Sequence, residues 1–374
     1  MAWWAVPVGW PLPRGTAKCA TRRPLRVLVV FNQPRLDPSD PDYAAESEVV
    51  ETAAHVARVL ERRGHQPELL AIGPSLEPLL ITLERSPPPV VFNLFEGTAL
   101  YGLTEATVAS LLEWYAIPYT GCPLSAIVWA RDKARCKDLL RGVGLPTPDG
   151  IVVAPDDAWP CECVRQLVEQ GPVIVKLAGE EASVGLDQSS VTADVEGALR
   201  RVRALQVRYR MAVLVERFIP GREFNIAVIE RPQRQVLPPS EIVFTPPYPG
   251  WWPMVTYASK WQPGSVEDLA ARPQCPARLD PSLHDLLCDL AERAFVAVGC
   301  RDYARVDMRL DPAGKPFILE VNANPDVHPE AGLARSLRAA GIDYDQFIEE
   351  LVVGARQRHE RRHVVSGVRS VPTP

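Results

Sequence analysis

The residues best suited to chemistry lie in Tyr303–Pro325, which reads YARVDMRLDPAGKPFILEVNANP. Strand alternation puts Arg305, Asp307 and Arg309 on one face and Val306, Met308 and Leu310 on the other. In the next run Phe317, Leu319 and Val321 share a face, leaving Ile318, Glu320 and Asn322 opposite. Asp311-Pro312-Ala313-Gly314 fits a type I turn, with Asp first, Pro second and Gly fourth. The hairpin is expected to set Asp307 across from Glu320 and Arg305 across from Asn322, provided that no bulge shifts the register. Two like charges opposed across strands destabilise a hairpin unless something neutralises them. A hard cation does so: Asp, Glu and Asn supply only oxygen, which suits Mg²⁺ completed by nucleotide phosphates. Arg305 and Arg309 would do so as well, in a surface salt-bridge lattice. The hairpin alone leaves both readings open.

Two further segments carry charge into apolar surroundings. Pro172–Leu177 is a strand with one lysine, Lys176, and a charge there is costly unless it meets a partner. The loop that follows, Ala178–Gly185, is built of small residues whose amides can wrap phosphates; read alone, it is a hairpin turn. Val213–Ile229, VLVERFIPGREFNIAVI, reads as strand, turn at Pro220-Gly221, strand. Backbone at Glu216–Ile219 can pair with an adenine, and Glu223 can bind ribose hydroxyls. Without the other segments it is a plain hairpin with solvated charges.

The elements that must position these residues alternate along the chain. Leu25–Phe31 and Val90–Asn93 read as buried strands. Ala44–Arg63 is helical, with Val49, Ala53, Val56, Ala57 and Leu60 on one face and Gly64 at its end. Thr104–Tyr115 is a helix, followed by a turn at 118–121. This pattern predicts an α/β layer with parallel strands. A helix over Asp132–Val143, strands at Ile151–Ala154 and Val173–Leu177, and a helix over Glu196–Leu205 follow. Then come strands at Val213–Phe218, Glu223–Ile229 and Val236–Phe244, a long loop, and a helix at Ser282–Val298 with Pro281 in its first turn. The organisation expected is a flexible arm over 1–24, a Rossmann-like unit over 25–122, two α+β units over 123–212 and 213–354, and a basic, frayed tail over 355–374 with Arg356, Arg358, Arg361 and Arg362.

Taken together these segments resemble the ATP-grasp superfamily, and within it the D-alanine–D-alanine ligase-like group. The resemblance runs from about Leu25 to Val352. It rests on AESEVVETAAHVARVL, NLFEG, IPYTG, DKARCKDLLRGVGLPTP, VIVKLAGEEASVGL, VLVERFIPGREFNIAVI, YASKW, and RVDMRL followed by LEVNANP, in family order. It implies an α/β chain: a Rossmann-like N-terminal domain, then two α+β subdomains clamping ATP. It also implies a site. Asp307, Glu320 and Asn322 look like ligands for Mg²⁺, with Mn²⁺ able to substitute. Lys133 and Lys176 look like the lysines on the nucleotide's phosphates, and Ser183 stands in the phosphate loop. Glu180 is similar to the acidic residue on the adenine side. Glu216, Arg217, Phe218 and Ile219 resemble the hinge strand along adenine, and Glu223 the ribose ligand. Lys260 resembles the lid lysine over the γ-phosphate, Arg305 the cation on the tetrahedral oxyanion, and Glu46 the acid on the first substrate's amino group. The implied reaction joins a carboxylate to an amine through an acyl-phosphate, and the resemblance also implies a homodimer.

The sequence departs from that group at the substrate end. The group's D-alanine ligases carry a serine in the phosphate loop and a tyrosine after the lid lysine, hydrogen-bonded with the first-substrate glutamate. Ala182 and Trp261 stand there instead, and an indole only donates. Asp326 and Ala331 stand near a glycine and a serine of the group. The expected activity is amide or peptide bond formation on substrates other than D-alanine, amino acids or peptides. The alternatives are a genuine D-alanine–D-alanine ligase of peptidoglycan precursor synthesis and a nucleotide-binding module without turnover. Trp251, Trp252 and Trp261 suit either a larger, apolar substrate or packing of the lid on the core.

Composition excludes little else. The 374 residues carry a net charge of −5, which gives no basic face for nucleic acid. No run of 18 apolar residues suggests a membrane span. Pro7, Pro11 and Pro13 interrupt the apolar start, so no signal peptide is expected. Eight cysteines without a framework spacing, including the lone pair Cys161 and Cys163, fit a reducing, cytoplasmic setting.

Overall fold

The computed structural model describes residues 23–97, 104–155, 161–180, 182–231 and 233–366. The chain opens with β1 (Arg26–Asn32), α1 (Tyr43–Arg62), β2 (Gln66–Ile72), α2 (Glu77–Arg85) and β3 (Val90–Leu94). The strands form a parallel sheet in the order β2-β1-β3. β1 and β3 are apolar almost throughout, as strands covered on both faces must be. α1 lays Val49, Ala53, Val56 and Leu60 on one face, all nearly devoid of solvent contact. Each such Val or Leu stabilises the layer by about 1.5–3 kcal/mol.

α3 (Glu105–Trp114), α4 (Leu124–Arg131) and α5 (Lys133–Gly142) lead into the second layer. Asp132 caps α5 by accepting from the Arg135 amide. There β4 (Gly150–Val153), α6 (Cys161–Glu169), β5 (Val173–Leu177), β6 (Val191–Thr192), α7 (Val195–Tyr209) and β7 (Val213–Arg217) make an antiparallel sheet in the order β4-β7-β5-β6. Val213–Arg217, expected to open the third unit, thus hydrogen-bonds between β4 and β5. This sheet has a core of its own, in which Val173, Val175, Val213 and Val215 pack on α6 and α7.

The third sheet contains β8 (Glu223–Glu230), β9 (Arg234–Val236), β10 (Ser240–Phe244) and β11 (Ala271–Gln274), with β12 (Tyr303–Leu310) and β13 (Pro316–Ala323). Its order is β11-β10-β8-β12-β13, and β9 also pairs with β8. α8 (Tyr257–Trp261) and α9 (Val266–Ala270) lie between β10 and β11; α10 (Pro281–Val298) precedes β12. α11 (Gly332–Ala339) and α12 (Tyr344–Ser366) close the fold. One apolar cluster joins Leu28, Val30 and Val91 of the first sheet to Ile226, Val306 and Ile318 of the third, and includes Leu287, Ala291 and Phe295 of α10. A second joins Val27 and Val29 to Phe347 and Leu351 of α12. The first and third sheets therefore make one body, and the second sheet is a separate layer facing it.

Three local expectations are corrected. The single strand expected over Val236–Phe244 is broken by Pro238 and Pro239, which have no amide to give a ladder. The long loop before α10 contains α8, α9 and β11. The tail expected to fray from residue 355 is helical to Ser366, and Arg358 meets the buried Asp302 at 2.6 Å. The arm over 1–24 lies outside the described residues except for its last two.

Candidate active site

β12 and β13 pair with Asp307 opposite Glu320 and Arg305 opposite Asn322, the pairs expected, but the turn alone does not set them: a bulge shifts the register. From the turn the ladder runs Leu310↔Pro316, Arg309↔Phe317, Met308↔Ile318, and then steps to Asp307↔Glu320. Leu319 is the extra residue. The alternation expected over Phe317, Leu319 and Val321 therefore does not hold. Ile318 and Val321 enter the core, while Leu319 and Glu320 both face a cleft. Arg305 grips Asp307 with Nε at 2.7 Å and a terminal nitrogen at 2.8 Å. Asn225 on β8 and Asn322 donate to the same carboxylate at 2.8 and 3.0 Å.

The cleft has a volume of about 790 Å³ and lies between the second layer and the main body. Every residue singled out from the sequence lines it: Asp307, Glu320 and Asn322; Lys133 and Lys176; Glu180 and Ser183; Glu216–Ile219 and Glu223; Lys260, Arg305 and Glu46. At one end Glu216, 1% exposed, sits between Lys176 at 2.6 Å and Lys137 at 3.1 Å. The Lys137 contact has the distance of an ion pair without the alignment of a hydrogen bond. Burial by itself raises the Glu216 carboxyl, but the two ammoniums outweigh it and hold it below the usual range. The same balance holds Glu320 down to about 2, against burial, with Lys133, Lys176 and Arg305 as its cations. Lys133 lies 3.8 Å from Glu320 and donates to the Glu180 carbonyl. Glu223, 3.7 Å from Arg309, goes the other way: burial, with the charges of Asp307 and Glu320 added, pushes it up to about 7.

The far end of the cleft differs from expectation. Glu46 lines it, yet its Oε2 accepts from the amides of Arg35 and Leu36 at 2.8 and 2.7 Å. Glu48, not singled out from the sequence, also faces the cleft. Burial and the neighbouring Asp326 raise its carboxyl to about 7, with Lys260 opposing. Trp261 does not replace a tyrosine hydroxyl in kind: its indole Nε1 donates to the backbone carbonyl of Ala182 at 2.9 Å. Ala182 and Ser183 both take left-handed backbone angles, φ +56° and +60°, which present that carbonyl. Lys260 lies over the indole, 4.7 Å from the ring centre. Trp251 and Trp252 are packing residues. Trp251 is buried near Phe244, and Trp252 sets its ring against Phe218 with centroids 5.6 Å apart.

The donor set suits a hard cation that shares its coordination with phosphate. Asp307 and Glu320 bring carboxylate oxygens together beside Asn322, whose Nδ2 donates toward both and whose amide oxygen faces them after a flip, and the described residues assemble no group of three or more His, Cys, Asp or Glu for a metal. Mg²⁺ is typically held by one or two carboxylates plus nucleotide oxygens, which is what two acids and an amide can offer. The lattice alternative is present too, since Arg305 pairs with Asp307. Lys133 and Lys176 supply the positive side of the same cleft floor, with Lys137 buried behind it against Glu216. Lys137 and Asn225 were missed by sequence reasoning. The i,i+4 spacing of Lys133 and Lys137 was the available signal for the first.

Comparison with known proteins gives this geometry a family. The family described as D-ala D-ala ligase C-terminus matches residues 139–353. A D-alanine--D-alanine ligase of Gloeobacter violaceus is 32% identical over 79% of this chain and 91% of that protein. The chain belongs to the D-alanine–D-alanine ligase family. An uncharacterized protein of Sinorhizobium fredii is also 32% identical, over 82% of this chain and 88% of its own length. The crystal structure of the Bacillus anthracis D-alanine--D-alanine ligase complexed with ATP shares the fold, with a TM-score of 0.69 at 19% identity, covering 90% of this chain and 99% of that one. As a D-alanine–D-alanine ligase family member, the chain is an ATP-dependent ligase acting on small molecules, and the family uses a divalent metal. No helix among the described residues is long and apolar enough to cross a membrane.

Proposed function

We propose that this ligase joins a carboxylate to an amine through an acyl-phosphate, in the cytoplasm, on substrates other than a pair of D-alanines. The observation that carries the reading is the Trp261–Ala182 bond. The residues assigned to the nucleotide line the same cleft as the lid, which is held to the loop after β5 by an indole on a backbone carbonyl.

In this reading Lys133 and Lys176 face the phosphates, and Glu216 fixes Lys176 from behind. Glu216–Ile219 run along the base, Glu180 and Ser183 bound its loop side, and Glu223 takes the ribose. Asp307, Glu320 and Asn322 hold the divalent ion, which when bound neutralises phosphate charge. Lys260 closes from α8 and the Trp261 bond keeps α8 down, excluding water from a reactive intermediate. Arg305 stabilises the oxyanion formed when the amine attacks. Glu46 and Glu48, with Asp326 beside the latter, make the acidic end that receives a substrate ammonium group.

A second reading, a genuine D-alanine–D-alanine ligase, is favoured by the 32% identity to proteins of that name. The two separate in a screen of ADP release with amino acids offered singly and in pairs. Release that requires a component other than D-alanine supports the first; full release with D-alanine alone supports the second.

A further inference from the structure

The bulge at Leu319 raises a question of support. An extra residue in a strand leaves a backbone carbonyl outside the regular ladder, and a buried carbonyl needs a donor. That donor is Lys137, whose ammonium reaches the Leu319 carbonyl from α5. Lys137 is 2% exposed, and no nucleotide role was assigned to it. Its other contact is Glu216, the acid that also anchors Lys176. One side chain therefore joins three things: the helix that carries Lys133, the floor that carries Lys176, and the strand position immediately before Glu320.

A buried ammonium is costly without good partners, and burial holds Lys137 down to about 8 against the pull of Glu216. Packing alone would be served better by Leu or Met, since α5 and β13 already meet through Cys136 and Val321 in the apolar cluster. The ammonium supplies what neither provides, a donor at the bulge.

We propose that Lys137 is a positioning residue for the divalent cation: by holding the Leu319 carbonyl it fixes the bulge that aims Glu320 at the point shared with Asp307 and Asn322. The proposal rests on the reading of Glu320 as a metal ligand. Outer residues that orient ligands change metal affinity by about 10–100-fold when removed.

The test is the binding of ADP to the full chain by calorimetry, with Mg²⁺ and with EDTA, for wild type and Lys137→Met. The quantity read is the factor by which Mg²⁺ strengthens ADP binding. In Lys137→Met this factor is expected to fall by about tenfold or more, while metal-free ADP binding stays within about threefold. An unchanged factor, or equal weakening with and without Mg²⁺, overturns the proposal and leaves Lys137 a purely structural residue. If Lys137→Met does not fold, Lys137→Ser, whose hydroxyl is too short to reach the Leu319 carbonyl, reads the same factor; an unchanged factor there overturns the proposal and a reduced one supports it. If Mg²⁺ does not strengthen ADP binding in wild type, the metal reading itself fails, which is a separate outcome.

Discussion

The indole Nε1 of Trp261 lies 2.9 Å from the carbonyl oxygen of Ala182. That bond links α8, which carries Lys260, to the loop after β5, which faces the phosphate end of the cleft. Because the acceptor is backbone, the side chain at position 182 is released from any part in closing the lid, and Ala is tolerated there.

Trp261→Phe keeps the ring beneath Lys260 and removes the donor. A neutral hydrogen bond contributes about 0.5–1.5 kcal/mol, so amide formation should slow by roughly 2–10-fold. The sharper expectation is poorer coupling, with less amide formed per ADP because water reaches the intermediate. Quantifying both products in one reaction checks it; an unchanged ratio would mean that the bond does not hold the lid.

Asp307→Asn and Glu320→Gln keep side-chain shape and remove charge from the converging oxygens. Loss of metal-based charge stabilisation worth several kcal/mol lowers turnover by roughly 10²-fold or more. Chelation of divalent ions in the wild type should abolish turnover, and added Mg²⁺ should restore it. Turnover that survives both substitutions would favour the Arg305–Asp307 pair as mere lattice.

How much of this was legible in the sequence divides by distance along the chain. That Asp307 and Glu320 meet across one hairpin was readable because a short turn joins their strands, but the turn alone would leave Asp307 opposite Leu319. The bulge was not, since nothing local in FILEV marks Leu319 as extra; its support comes from Lys137, 182 residues away. The break at Pro238-Pro239 was readable in principle from missing amides and was overlooked. Arg358 looked like part of a solvated tail because its partner, Asp302, lies 56 positions upstream. Glu46 and Glu48 stand in the same helix, and only the fold shows that the amides of Arg35 and Leu36 occupy the first.

The pH dependence of stability follows from Glu48. Its carboxyl is raised from 4.5 to about 7 in the folded chain. Between those values the folded state keeps a proton that the unfolded chain has released, so stability falls as pH rises through that window. Glu223, also raised to about 7, acts with the same sign. Glu48→Gln should therefore flatten part of the decline without abolishing it. Urea midpoints at about pH 5 and about pH 7.5 measure this; an identical pH slope in the variant would show that Glu48 is not held protonated.

Arg358→Met leaves Asp302, 1% exposed, without its closest guanidinium. Breaking one side of a buried pair costs about 3–5 kcal/mol; Arg301 and the Gly121 amide still reach Asp302, which places the loss near the lower end. The melting temperature should drop, and the double variant Asp302→Asn/Arg358→Met should recover much of it. A drop that the second substitution does not relieve would point to lost packing instead.

The most direct measurement of the central claim is a competition. The ligase is given ATP, Mg²⁺ and an equimolar mixture of D- and L-amino acids and short peptides, and the condensation products are identified by mass and by chirality. The account predicts an amide whose two parts are not both D-alanine, formed with stoichiometric ADP. D-alanyl-D-alanine as the dominant product would contradict it.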